Sequence, residues 1–245
     1  MNFSFRKKKV DPHALSDVDL ITKKPSSSLS EALKAARTNL MYTLSEIEGC
    51  KTVMITSAFS AEGKTTTCIN IAATLAQVQA KVLLVDADLR RPRVHTYLEV
   101  KNREGLANHL GGFATVESII NRMEEFNFDY ITAGNVPPNP AELLASKKFA
   151  AFIDAVKEKY DYIIIDTPPV NAVADALSVA ASVENVLLVC RCGISITKEV
   201  QKAVSALEFA QAKILGFITI DAQNKKIKNY ETYSGYYGYR QSSDD

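Results

Sequence analysis

Residues 57–66, SAFSAEGKTT, lie between an apolar run at 52–56 (TVMIT) and a helical pattern over 65–78. A strand, a tight loop carrying Gly-Lys-Thr, and a helix, in that order, constrain this chain more than any other feature. They are the context of a P-loop. Backbone N–H groups from Ser60 through Ala61, Glu62, Gly63, Lys64 and Thr65 can converge on phosphate oxygens, with Thr66 next in the helix, and the helix N-terminus adds partial positive charge. Lys64 can reach β and γ phosphates, and the Thr65 hydroxyl can ligate Mg²⁺. Ala58 stands at the first glycine of the usual pattern, which a negative φ tolerates. Gly63 marks the stricter need, where backbone must approach phosphate.

Further apolar runs follow at 81–86 (KVLLVD), 162–166 (YIIID), 185–190 and 214–220. Helical spacing appears at 29–47, where Leu29, Leu33, Ala36, Leu40 and Leu44 recur, and again at 172–183 and 198–212. Another helix is expected within 139–159, opening on Asn139-Pro140 with proline at its first position. Continuous apolar strands alternating with amphipathic helices predict an α/β fold, a mostly parallel sheet with helices on both faces. The 245 residues divide into a polar N-terminal arm (1–27), one domain (28–222) and a flexible tail (223–245). Five of the ten tyrosines fall in that tail, at Tyr230, Tyr233, Tyr236, Tyr237 and Tyr239. Gly235 and Gly238 interrupt any regular element there.

Two strands end in acid. Asp86 and Asp88 close one, and Asp166 closes another, before Thr167-Pro168-Pro169. Ligands of open parallel sheets bind outside the carboxyl ends of the strands, so these carboxylates and the P-loop should share one rim. A buried carboxylate is costly unless it meets a cation, and Mg²⁺ needs few protein ligands.

Other classes are excluded by composition. With 29 basic and 28 acidic residues, net +1, the chain is not built to coat nucleic acid. Its longest uncharged stretch, 65–80, includes Asn70, Gln77 and Gln79 and is shorter than the roughly 20 apolar residues of a spanning helix. The basic N-terminal run lacks the apolar stretch of a secretory signal. Four cysteines do not suggest a disulfide framework, so a reducing cytosol is expected.

The P-loop, then Asp86-Ala-Asp88-Leu-Arg90-Arg91-Pro92, then Asp166-Thr-Pro168-Pro169, then the tyrosine cluster, resembles the bacterial tyrosine kinases of capsule and exopolysaccharide loci. The resemblance spans about residues 29–240 and takes in the segment Gly134 to Leu144 before a helix. It implies a P-loop kinase domain that uses ATP and Mg²⁺ to phosphorylate its own tail tyrosines in trans and to regulate polysaccharide synthesis and export. Lys64 and Asp86 would be catalytic, Asp86 orienting the tyrosine hydroxyl or accepting its proton, and Thr65, Asp88 and Asp166 would hold the metal, the two carboxylates directly or through water. Glu31, Lys34 and Arg37 match the family's oligomerisation helix, with lysine at a position usually held by arginine. The implied partners are further copies of the chain, a transmembrane activator or chain-length regulator, a cognate tyrosine phosphatase and other protein-tyrosine substrates, with no nucleic acid. The implied place is cytoplasmic, peripheral at the inner face of the membrane through that activator. The alternative is a MinD/ParA-like nucleotide-switch ATPase, which would carry a second P-loop lysine where this chain has Phe59.

Overall fold

The five apolar runs lie side by side in a single sheet. The structure, a computed structural model, describes residues 27–183 and 185–221. The strands are β1 (Lys51–Ser57), β2 (Val82–Asp86), β3 (Asn121–Met123), β4 (Phe128–Ile131), β5 (Tyr162–Asp166), β6 (Asn185–Arg191) and β7 (Lys213–Ile220). Their order is β3-β4-β2-β5-β1-β6-β7. Every pairing is parallel except β3 with β4. β2 and β5 are buried along their whole length, as strands covered on both faces should be.

One face carries α1 (Ser27–Thr43), α2 (Lys64–Ala76) and α3 (Val94–Tyr97), packed through Leu40, Leu44, Ile69, Leu75, Leu84 and Ile164. The other carries α4 (Leu106–Gly111), α5 (Val116–Ile119), α6 (Pro140–Leu144), α7 (Lys147–Lys157), α8 (Asp175–Ala180) and α9 (Thr197–Phe209), around Leu83, Phe149, Phe152, Ile163, Ile165 and Leu207. Each fully buried apolar side chain contributes roughly 1.5–3 kcal/mol. The two cores therefore hold the layers together more than helix propensity does.

The helix expected to open at Asn139-Pro140 is two helices. Ser146 separates them: its hydroxyl donates to Leu143 O at 2.6 Å and accepts the Phe149 N–H at 3.3 Å, ending α6 and capping α7. From α3 through β4 the structure adds short elements that periodicity does not signal, those two included. At the opposite edge β7 is only partly covered, and Phe217 is exposed.

Arg37 of α1 donates to Thr74 O at 3.1 Å, tying α1 to the last turn of α2. Lys34 pairs instead with Glu31 on the exposed side of α1, at 2.8 Å. Among the described residues no helix is long and apolar enough to cross a membrane. The arm at 1–26 and all five tail tyrosines, Tyr230, Tyr233, Tyr236, Tyr237 and Tyr239, lie outside the described residues.

Candidate active site

The P-loop leaves β1 at Ser57 and enters α2 at Lys64. Its crest turns left-handed twice, at Ala61 (φ 64°) and at Gly63 (φ 84°). Glycine accepts this freely. Alanine is strained there by about 1 kcal/mol, so something must hold Ala61. A Cβ on Gly63 would also meet Ile220 Cδ1 at 2.3 Å, because the end of β7 lies over the loop. Among the described residues, the amides of Ser60, Ala61, Gly63 and Lys64 make no backbone–backbone hydrogen bond. Free amides beside a helix N-terminus form a cradle suited to phosphate.

The acidic residues occupy the rim expected for them. Asp86 and Asp166 are register partners on β2 and β5, and both are buried. The loops beyond them are stitched to neighbouring strands. Ala87 N–H donates to Asp166 O at 2.8 Å, Thr56 Oγ1 to Pro168 O at 2.9 Å, and Val170 N–H to Ser57 O at 2.9 Å. Asp86 Oδ1 accepts the Asp88 amide at 3.2 Å, and Oδ2 accepts the Val94 amide at 3.1 Å. Burial, then the charges of Asp166 and Asp88, push the Asp86 carboxyl well above the usual carboxylate range. Asp88 is half-buried and accepts the Arg91 amide at 2.9 Å, closing the turn after β2.

Asp166 decides whether a Mg²⁺ ion suits this site. Its Oδ2 is buried without a hydrogen-bond partner. Burial raises its carboxyl to about 6, against the Lys64 charge and the Thr65 hydroxyl, which lower it. An orphaned carboxylate oxygen near a lysine and a threonine hydroxyl fits a small oxygen-seeking cation. Mg²⁺ keeps several waters and takes further ligands from phosphate, so it asks few oxygens of the protein.

Lys64, Thr65, Asp86, Asp88 and Asp166 are thus gathered at one rim, as the sequence suggested. Glu31 and Lys34 stand apart from it on α1. Glu62 departs from expectation in an informative way. Its side chain is fully buried, with Oε2 accepting the Phe59 amide at 2.8 Å and Oε1 accepting the Ser195 hydroxyl. Sequence reasoning missed Ser195 and Asp175. Asp175 is fully buried at the start of α8 and grips Arg90 with two hydrogen bonds, at 2.8 and 3.0 Å. The helical pattern at 172–183 was the only local signal for Asp175. A polar cleft of about 560 Å³ at the opposite ends of the strands, lined by Lys81, Arg122, Asp129, Lys159 and Tyr160, carries none of this chemistry.

Comparison with known proteins accords with this geometry. A family model described as an AAA domain matches residues 50–220. The tyrosine-protein kinase YwqD of Bacillus subtilis (strain 168) is 40% identical over 214 residues, which is 87% of this chain and 88% of that protein. The solved kinase domain of the Escherichia coli tyrosine kinase ETK superposes with a TM-score of 0.79 at 38% identity, covering 88% of this chain and 82% of the other. The septum site-determining protein MinD of Pyrococcus horikoshii OT3, complexed with Mg-ADP, superposes with a TM-score of 0.61 at 30% identity over 69% of this chain and 70% of the other.

Proposed function

Because the chain belongs to the bacterial tyrosine kinases, with a core of the AAA-domain family, we propose that it transfers the γ-phosphoryl group of ATP to the tyrosines of its own C-terminal cluster, between copies, and so regulates capsular or exopolysaccharide synthesis and export. It is a protein-tyrosine kinase on a nucleotide-binding P-loop fold. The observation carrying the proposal is the meeting of Lys64, Asp86 and Asp166 at one buried rim beside a loop with free amides.

Phosphoryl transfer depends mainly on positioning and charge stabilisation. Lys64 and the loop amides hold the phosphate oxygens. Asp86 receives the tyrosine proton as the phenolic oxygen bonds to phosphorus, and the bond from phosphorus to the leaving ADP oxygen breaks. A phenol ionises near 10, so a carboxylate within hydrogen-bond reach of it is needed to take its proton as the bond to phosphorus forms. Thr65, Asp88 and Asp166 would hold Mg²⁺, which supplies further neutralisation of phosphate charge.

The acceptors are Tyr230, Tyr233, Tyr236, Tyr237 and Tyr239. The copies associate through α1, using Glu31, Lys34 and Arg37. A transmembrane activator holds the kinase at the inner face of the membrane, a cognate phosphatase resets it, and other tyrosine-bearing proteins are further substrates. A nucleotide-switch ATPase is the second reading, favoured by the likeness to MinD. Phe59 stands against it, because such a switch needs a second loop lysine.

The test is the purified full chain with Mg-ATP, probed for phosphotyrosine and mapped by mass spectrometry. Phosphate on the tail cluster, lost in Lys64→Met and in a five-fold Tyr→Phe variant, is expected. ATP hydrolysis without phosphotyrosine would favour the switch.

A further inference from the structure

A buried glutamate in a phosphate-binding loop needs a physical reason. Glu62 is fully buried and adjoins Gly63, and a carboxylate there opposes the charge of any polyphosphate nearby. Both its oxygens are engaged. Oε2 accepts the Phe59 amide, bending the loop back on itself, and Oε1 accepts the hydroxyl of Ser195 in the β6–α9 connection. Ser195 Oγ in turn accepts the Arg191 amide at 2.7 Å.

The Arg191 side chain completes the brace. Nη1 donates to Ala61 O at 3.2 Å, at the left-handed position that alanine disfavours. Nε donates to Asp221 Oδ2 at 2.5 Å, one residue beyond β7. The Cys192 amide donates to Ile220 O at 3.0 Å, and Ile220 lies over Gly63. The loop crest is therefore gripped from the ends of β6 and β7, remote in sequence from β1 and α2. The tyrosine-bearing segment leaves the domain from this same strand end.

We infer that Glu62 and Arg191 are positioning residues for phosphoryl transfer: they hold the P-loop crest in its phosphate-receiving curvature, and through Asp221 they make nucleotide affinity depend on the strand end where the tyrosine-bearing segment begins. Glu62 acts on the Phe59 amide, and Arg191 acts on the Ala61 carbonyl. The coupling is reciprocal, since binding that favours one arrangement of the crest must equally favour the matching arrangement of Asp221. This inference rests on the kinase reading of the same loop.

The experiment measures affinity of the full chain for a fluorescent ADP analogue, with thermal unfolding recorded alongside. Glu62→Ala and Arg191→Gln should each weaken binding about tenfold, the scale of one lost charge-assisted hydrogen bond. Glu62→Gln, which keeps an acceptor for the Phe59 amide, should recover most of it. Asp221→Asn should weaken binding about threefold, the scale of a half-exposed pair. In the Arg191→Gln background Asp221→Asn should add nothing, because its effect passes through Arg191. Arg191 is half-exposed, so its variant remains a test even if Glu62→Ala does not fold. Affinities within twofold of the parent for the folded single variants at 62 and 191 would overturn the inference, even with lowered unfolding temperatures, since that is a merely structural role. Additive losses in the double variant would overturn the link to Asp221. A parent chain that binds no nucleotide would reject the kinase reading and this inference together; normal binding by parent and variants alike would reject the inference alone.

Discussion

Cys68 Sγ lies 3.6 Å from Asp166 Oδ1, a buried thiol donating to a carboxylate whose other oxygen has no partner. The pair sits under the phosphate-binding end of α2, where burial raises the Asp166 carboxyl to about 6 and the Cys68 hydrogen bond lowers it. A raised carboxyl favours the protonated form. In the metal-free chain this group's contribution to stability is therefore present below about pH 4 and lost as pH rises through about 6. A bound cation reverses that preference. The apparent Mg²⁺ affinity, read as a thermal shift, should fall up to about tenfold per pH unit below about 6. Cys68→Ala should move the midpoint of that dependence upward, and Cys68→Ser should leave it nearer the parent.

Asp86→Asn should separate chemistry from binding. A group acting on the phenolic proton contributes mainly in the transition state. Single-turnover transfer should drop about a hundredfold, while affinity for the fluorescent nucleotide changes less than about threefold. Equal losses in both measurements would identify Asp86 as a metal ligand only.

Arg90→Ala should destabilise the fold by about 2 kcal/mol in urea denaturation, because it leaves the buried Asp175 carboxylate unpaired. Half-exposure of Arg90 keeps the figure below that of a fully buried pair. Adding Asp175→Asn should restore part of the loss. Unchanged stability in Arg90→Ala would mean that water replaces the guanidinium.

The α1 residues should divide into two behaviours. Glu31 and Lys34 form an exposed pair, so changing both to alanine should leave the unfolding free energy in urea within about 0.5 kcal/mol of the parent while giving a smaller mass in light scattering. Arg37→Ala removes a hydrogen bond to the last turn of α2 and should cost about 1 kcal/mol as well. An unchanged mass in both variants would place the contact between copies elsewhere.

What the sequence revealed was local. The P-loop, the strand-ending Asp86 and Asp166, and the central apolar runs each announce themselves within a few residues, because one strand, one turn and one helix start define them. Partnerships across long separations left no such trace. Glu62 meets Ser195 across 133 positions and Arg90 meets Asp175 across 85. No periodicity encodes either contact. β3 and β4 were both missed: β3 has three residues, two of them exposed, β4 has four, too few for a period to show, and each takes its identity from the strand beside it. Ser146 broke an expected helix because a serine hydroxyl at that turn can end one helix and cap the next. Its role depends on the Leu143 carbonyl and the Phe149 amide meeting there, which the burial of Leu144 and Phe149 against the sheet fixes.

The alignment of Asp86 with Asp166 also bears on how the protein is made. β2 and β5 are parallel and far apart along the chain, so no hairpin turn meters their pairing. Shifting β2 by one residue would rotate Asp86 to the opposite side of the sheet, among the apolar residues packed with Phe149 and Phe152. Such a chain would keep its layers and lose its chemistry. Refolded preparations should therefore be graded by titrating active centres rather than by circular dichroism, since a misaligned fraction would pass the second assay and fail only the first.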